Sequence, residues 1–157
     1  MANTSSPSHH ENGSRIICRL ASGTVELYRL QFLPGYCVLR AEPEVESLNE
    51  LEPEQQAQFL SDMALVGDAL LEATGAYRIN YAILCNTDPH LHAHIVPRYD
   101  FERDDLRKGL PWSYPDEMID AMVFDEQRDR SVIERIYAAL EKRQPSSPPV
   151  LAAQTTA

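Results

Sequence analysis

Three histidines alternate with apolar residues near the middle of this 157-residue chain. They are His90, His92 and His94, in the segment 90–98 with the sequence HLHAHIVPR. Because side chains on an extended strand alternate between its two faces, the three imidazoles should project from one face and the intervening apolar side chains from the other. Successive imidazoles would lie roughly 6.5 Å apart along the strand, close enough for neighbouring rings to act on one substrate group. The pattern predicts a strand with one face that carries reactive side chains and one face that packs in the core.

Three interpretations of these histidines are open. A solvent-facing strand can carry polar side chains, although chance explains poorly why three of the five histidines in the chain share one strand face. A metal site is the second, since imidazole is a common zinc ligand, but residues in a row along a strand converge poorly on one ion. The third is nucleophilic catalysis, in which a neutral imidazole attacks phosphorus while its neighbours fix its tautomer or donate hydrogen bonds to phosphoryl oxygens.

The charge balance limits the class of ligand. The chain has 14 Lys and Arg against 24 Asp and Glu, a formal net charge of -10, which argues against binding nucleic acid polymers or an anionic membrane surface. An anionic ligand would therefore need positive groups concentrated at its site. No apolar run reaches the roughly 18–20 residues that cross a bilayer, and the first residues form neither a basic nor an apolar region, so we expect a cytoplasmic protein.

Polar and small residues dominate both ends of the chain. Residues 1–14 contain almost nothing apolar, and residues 144–157 begin with QPSSPP and continue mainly with small residues. This composition predicts a disordered tail at each end and one folded domain between them, at 15–143.

Short segments rich in β-branched and aromatic residues alternate with turn residues inside this domain. Residues 16–18, 23–29 and 36–40 predict an antiparallel meander. The alternation over 77–85, a turn at 86–89 and the histidine segment together predict a hairpin whose second strand carries the histidines.

Helical periodicity separates and follows these strands. Pro53 suits a first helical position, apolar residues recur at steps of four and three after it, and Gly75 predicts the end of this long helix. Residues 118–123 predict a short helix, and a longer C-terminal helix should begin near Asp129 or Ser131. Strands, helix, strands and helices in this order predict an α+β fold around an antiparallel sheet.

Further candidate residues flank the histidine strand. Arg98 ends the strand, and its planar guanidinium is suited to bind a polyphosphate. Asn80 lies on the neighbouring predicted strand, where it can contact a ribose or simply be a polar residue on an exposed sheet face. Trp112 can close over a nucleobase, because an aromatic face stacks on any base, or it can pack against the body of the protein or a partner subunit. Arg98 could form a basic mouth with Arg40 and the basic residues at 103–108, although the acidic residues among them favour a solvated loop of mixed charge.

The histidine segment resembles the signature of the histidine triad (HIT) family, in which three histidines alternate with apolar residues and two apolar residues follow. Residues 90–96, HLHAHIV, match that signature, and Pro97-Arg98 is frequent in its members. Residues 34–39 (PGYCVL), 48–54 (LNELEPE) and 80–90 (NYAILCNTDPH) are also similar to a bacterial branch often labelled diadenosine tetraphosphate hydrolase-like. The resemblance covers most of residues 20–143.

This resemblance implies a fold, an activity and roles for individual residues. The family has a five-stranded antiparallel sheet with one long central helix, is usually homodimeric, and cleaves or transfers nucleotides at the α-phosphate without a metal or other cofactor. By position, His92 corresponds to the nucleophile that forms a nucleotidyl-histidine, His94 to the residue that contacts phosphate oxygens, and His90 to a supporting residue. Asn86 corresponds to a polar residue near the phosphates, and Thr87 to a hydroxyl that faces the leaving group.

One departure from the family pattern supports a second hypothesis. Many relatives have a histidine shortly after the strand at 36–40, where this chain has Glu44. Such a change fits a nucleotide-binding protein on the same fold that turns substrate over slowly or not at all. The leading hypothesis is a nucleoside phosphate hydrolase or nucleotidyltransferase, with dinucleoside polyphosphates among its candidate substrates, and the alternative is this catalytically weak binder.

Overall fold

The computed structural model describes residues 15–144 and 150–151. The predicted N-terminal tail at 1–14 lies outside these residues, as does most of the predicted tail at 144–157. An antiparallel sheet forms the centre of the fold, with its strands in the order β4-β5-β3-β2-β1-β6. The strands are β1 (Ile16–Leu20), β2 (Gly23–Leu27), β3 (Cys37–Ala41), β4 (Arg78–Ala82), β5 (His92–Arg98) and the two-residue β6 (Val150–Leu151).

The predicted α+β architecture is confirmed. Five strands form the open antiparallel sheet, and β6 extends its edge by pairing with β1. The predicted meander corresponds to β1, β2 and β3, and the predicted hairpin corresponds to β4 and β5, which pair over the full length of β4. Strand β5 therefore lies inside the sheet, between β3 and the edge strand β4.

The long central helix, α1, covers one face of this sheet. It spans Pro53–Thr74, with Pro53 in its first turn and reciprocal side-chain to backbone hydrogen bonds between Glu52 and Gln55 at its start. Gly75 ends the helix at φ 72°, a left-handed conformation that a residue without a Cβ adopts at little cost. Both predicted ends of this helix are confirmed.

The apolar residues that alternate with the histidines anchor β5 on the side of α1. Leu91, Ala93 and Ile95 are buried in the main hydrophobic cluster with Phe59, Val66 and other apolar side chains of α1. The prediction of a core face is therefore confirmed. Because this face is fixed by packing, the side chains of His92 and His94 must project from the opposite face of the sheet.

The C-terminal helices differ from their predicted bounds. They are α2 (Asp104–Arg107), α3 (Asp116–Asp120) and α4 (Glu126–Arg143). The start predicted for α4 near Asp129 or Ser131 is wrong, because Asp125 accepts a hydrogen bond from the backbone N–H of Arg128 and caps the helix earlier. The short helix predicted over 118–123 is α3, which ends before Val123 because that residue pairs with Leu30 in an isolated bridge.

Candidate active site

A cavity of about 560 Å³ lies on the sheet face opposite α1. Strand β5 contributes His92 and His94, which pair across the sheet with Arg40 and Val38 of β3. The two imidazole centroids are 4.9 Å apart, shorter than strand spacing alone predicts. The cavity wall also includes Asn86, Thr87 and Trp112.

His92 is held in one tautomer by the backbone. Its side chain is buried, with 7% of the residue exposed, and its Nδ1 lies 2.6 Å from the carbonyl oxygen of His90. A carbonyl can only accept a hydrogen bond, so Nδ1 must carry the proton and Nε2 keeps its lone pair. The thiol of Cys85 contacts the same ring, with Sγ 3.8 Å from Nδ1. His92 therefore has a free basic nitrogen, as a nucleophile requires.

His94 is hydrogen-bonded through Nδ1 to the side chain of Tyr36. The Tyr36 hydroxyl lies 2.7 Å from His94 Nδ1. A phenol can donate this hydrogen bond, and when it does, Nδ1 is the acceptor and Nε2 carries the hydrogen. His94 can therefore donate to an oxygen in the cavity.

The protonation states agree with these assignments. Burial, assisted by the neighbouring His92 and Arg40, lowers the pKa of His94 to about 4, so its imidazole is neutral at pH 7. Burial also raises the pKa of the Tyr36 phenol well above its ordinary value, which keeps its proton available for donation. His94 can thus supply a neutral hydrogen-bond donor, whereas the positive charge that attracts an anionic ligand must come from other residues.

The side chain of His90 is outside the cavity wall, which corrects the expectation of three imidazoles on one strand. Strand β5 begins only at His92, and the half-exposed ring of His90 has Nδ1 3.2 Å from Asp88 and Nε2 3.7 Å from Glu44. The backbone N–H of His90 donates to Asp88, which holds the preceding turn. His90 acts on His92 through its carbonyl rather than through its ring.

Arg40 is the cationic residue nearest the two histidines along the sheet. It pairs across the strands with His92, and its guanidinium forms ion pairs with Asp88 at 3.0 Å and Glu26 at 3.7 Å. Arg15 and Arg29 also line the cavity. These arginines supply the local positive charge that an anionic ligand of this acidic chain requires. Sequence patterns did not single out Arg15 or Arg29, because only the folding of the sheet brings these two residues close to the histidines.

The predicted contact of Arg98 with a polyphosphate is not supported by its position. The side chain is 2% exposed and pairs at 3.0 Å with Glu102, which is 1% exposed. It also donates to Asn80 Oδ1 and to the carbonyl oxygens of Leu106 and Gly109. The guanidinium of Arg98 points inward because its N–H groups donate to these buried acceptors. Neither Arg98 nor Asn80 lines the histidine cavity.

The other candidates also have definite positions. Trp112 lies over His94, with ring centroids 5.4 Å apart in an edge-to-face arrangement. The basic residues of the proposed mouth are paired locally: Arg103 with Asp105, and Arg107 and Lys108 with Asp104. This segment is the solvated loop of mixed charge considered from the sequence. It does not gather positive charge around a ligand.

Within 15–144 and 150–151, no group of three or more His, Cys, Asp or Glu side chains is arranged to hold a metal ion. Over the same residues, none of the helices combines the length and apolar character needed to cross a bilayer.

Comparisons with known proteins point to one fold family. The family model described as the HIT domain matches residues 31–101. A histidine triad protein from Sinorhizobium meliloti superposes with a TM-score of 0.69 at 24% identity, covering 88% of this chain and 100% of the other. A histidine triad protein from Marinobacter aquaeolei superposes with a TM-score of 0.67 at 22% identity, covering 85% of this chain and 95% of the other.

A solved structure with lower sequence identity has the same fold. A protein from Sulfolobus tokodaii, described as a hypothetical histidine triad nucleotide-binding protein, gives a TM-score of 0.63 at 16% identity, covering 83% of this chain and 85% of the other. No sequence among the curated proteins matches this chain. The structural neighbours confirm the HIT-like fold, and the family model matches its part from residue 31 to residue 101.

Proposed function

We propose that this chain is a member of the HIT family and a nucleoside phosphate hydrolase or nucleotidyltransferase that acts at the α-phosphate through a covalent intermediate on His92. The hydrogen bonds that engage Nδ1 of both cavity histidines are the observation that carries the proposal. His92 keeps an Nε2 lone pair because Nδ1 donates to a carbonyl, and with Tyr36 as the donor to its Nδ1, His94 presents an Nε2–H. One nitrogen can attack phosphorus while the other donates to a phosphoryl oxygen.

The reaction divides into two substitutions at phosphorus. In the first, His92 Nε2 forms a bond to the α-phosphorus, and the P–O bond to the leaving group breaks with its electron pair on that oxygen. The positive charge that develops on the ring is stabilised by the hydrogen bond from Nδ1–H to the His90 carbonyl. In the second, water attacks phosphorus, the N–P bond returns its pair to Nε2, and a proton is released. Another acceptor in place of water gives transfer.

Residues of the cavity wall have complementary roles in this scheme. His94 donates to an oxygen of the transferred phosphoryl group, and Arg40, which already balances Asp88 and Glu26, stabilises charge on that group. Asn86 and Thr87 line the same cavity, which supports their assignment to substrate binding. The nucleotidyl half of the substrate occupies this cavity, because its phosphorus must reach His92.

A chemical trap tests the covalent step. The protein is mixed with a dinucleoside polyphosphate labelled in the nucleoside, quenched without acid, and analysed for an acid-labile adduct on His92. His92→Gly should abolish both adduct and turnover while leaving folding nearly intact, because the ring projects from the polar face of the sheet. Turnover comparable to the unmodified protein would remove the nucleophile assignment.

The second candidate, a nucleotide-binding protein with little activity, is favoured by Glu44, whose carboxylate lies 3.7 Å from the ring of His90. Tight binding of the labelled compound without any adduct would support this candidate over the enzyme. Membership of the diadenosine tetraphosphate hydrolase-like branch, a homodimer and a cytoplasmic location also stay predictions. Light scattering during size-exclusion chromatography tests the dimer, and a panel of leaving groups tests the branch.

A further inference from the structure

Residues 106–114 lie against the sheet face that carries the histidines, and we call this segment the strap. Its two ends, Leu106 and Tyr114, are buried and pack in one apolar cluster with Val38 of that face. Between these ends, Pro111–Ser113 form a single 3₁₀ turn. A turn of this length has little stability of its own, so its position depends on the contacts that anchor the strap.

The strap places Trp112 at the rim of the histidine cavity. The indole meets the His94 ring edge to face, with the two centroids 5.4 Å apart. The titratable and charged groups that face His94 lie on the sheet strands or directly beside their ends: Tyr28, Tyr36, His92 and Arg40. The indole comes from outside the sheet, so it can move away from His94 without any change in the strands.

A buried guanidinium anchors the first half of the strap. Arg98 Nη2 donates to the carbonyl oxygen of Leu106 at 2.7 Å, and Nη1 donates to that of Gly109 at 2.8 Å. The other N–H groups donate to Glu102, from Nε at 3.2 Å and Nη2 at 3.0 Å, and to Asn80, from Nη1 at 2.9 Å. All five N–H groups are therefore in use, which fixes the guanidinium and the two strap carbonyls in one arrangement.

Glu102 extends the same anchor to the far end of the strap. Its Oε1 accepts from the hydroxyl of Tyr114 at 2.7 Å, and its Oε2 accepts from the backbone N–H of Tyr99 at 2.6 Å. Gly109 precedes Trp112 by three residues, and Tyr114 follows it by two. The chain on both sides of the indole is thus attached to one buried ion pair.

We propose that Arg98 and Glu102 are positioning residues, which hold the strap so that the indole of Trp112 keeps water from the ring of His94. The catalytic consequence rests on the proposed function, in which His94 is a neutral donor to the transferred phosphoryl group. Burial lowers the pKa of His94 to about 4, and the indole contributes to this burial because it lies against the ring. Arg98 therefore acts on the site without contacting substrate.

Two measurements without substrate follow the indole and the histidine. Because Trp112 is the sole tryptophan of the chain, quenching of the protein fluorescence by acrylamide measures the exposure of its indole. NMR titration of the free protein measures the pKa of His94, whose signal is identified by its loss in His94→Gln. Neither measurement needs turnover, so a protein that cleaves no nucleotide would refute the proposed function while this inference is still decided.

Removal of the Tyr114 hydroxyl tests the anchor at one atom. Tyr114→Phe should raise the quenching constant about twofold, raise the pKa of His94 from about 4 to about 5, and lower kcat about threefold with little change in KM. Ser22→Ala is the matched control, because it also deletes a hydroxyl that donates to a buried carboxylate, that of Asp62 at 2.6 Å. The control should leave the quenching constant, the pKa of His94 and kcat unchanged.

Two further variants separate the anchor from the indole. Arg98→Lys keeps a positive charge beside Glu102 but offers three N–H groups in place of five, so its effects should exceed those of Tyr114→Phe. If Arg98→Lys does not fold, Tyr114→Phe decides. Trp112→Ala removes the indole itself, and adding Tyr114→Phe to it should cause no further rise in the pKa of His94.

Three results would overturn the inference. A pKa of His94 that stays near 4 in Trp112→Ala would show that the indole does not keep water from the ring. Unchanged quenching and an unchanged pKa of His94 in Tyr114→Phe would show that the ion pair does not position the strap. Equal changes in Tyr114→Phe and Ser22→Ala would reduce the anchor to a contribution to general stability.

Discussion

Removal of one hydroxyl, in Tyr36→Phe, tests the basis of the proposed chemistry. That hydroxyl lies 2.7 Å from His94 Nδ1. Without it, the His94 ring loses the partner that keeps Nδ1 as an acceptor and can rotate its donor away from the phosphoryl oxygen. A net hydrogen bond of this type contributes about 0.5–1.5 kcal/mol, so we expect activity to fall up to about tenfold.

The loss should appear in kcat and leave KM nearly unchanged, because the donated bond strengthens as charge develops on the phosphoryl oxygen. Single-turnover adduct formation at saturating substrate measures this step. Tyr99→Phe is the matched control, since the hydroxyl of Tyr99 is also largely buried but donates to the carbonyl of Pro34, outside the cavity. If Tyr36→Phe and Tyr99→Phe lose stability alike and both retain full activity, the role assigned to the Tyr36 hydroxyl is wrong.

Three further predictions concern protonation, the buried ion pair and metals. An unfolded histidine has a pKa near 6.5, whereas the pKa of folded His94 is about 4, so the unfolded chain binds a proton first as the pH falls. His94 therefore lowers the free energy of unfolding as the pH falls through this interval. In urea titrations, His94→Gln should lose less of this free energy between pH 7 and 4.5 than the unmodified protein. An equal loss would contradict a buried neutral ring. Arg98→Met should lower the free energy of unfolding by about 3–5 kcal/mol, because it leaves the carboxylate of Glu102 buried without its partner. A loss below about 1 kcal/mol, measured by denaturant unfolding, would contradict this. Excess EDTA should leave turnover unchanged, and complete inactivation reversed by added zinc would support the metal interpretation instead.

Local patterns in the sequence were sufficient to predict most of the fold. The alternation of histidines with apolar residues identified Leu91, Ala93 and Ile95 as core, because a strand buried on one face must repeat every two residues. Pro53 and Gly75 marked the ends of α1 because each has a backbone preference that few other residues share. The prediction for α4 was wrong because the apolar pattern begins after the polar first turn that Asp125 caps.

The candidate site was predicted only in part. His92, His94, Asn86 and Thr87 do line one cavity, whereas the ring of His90 and the guanidinium of Arg98 do not. The error for Arg98 has a simple cause: the residue type suits a phosphate, but Glu102, four residues further along the chain, pairs with it away from solvent. A sequence shows which donors exist but does not show which acceptors the fold places beside them.

The alternation of residue types was enough to predict which face of β5 is polar and that His92 and His94 lie on it. The chemical state of their ring nitrogens depends on the folded chain. Tyr36 reaches His94 across 58 positions of the chain, and Trp112 packs against His94 from a different segment. Tautomers and pKa values depend on partners within about 3 Å and on exclusion of water, and both are properties of the folded arrangement rather than of local periodicity.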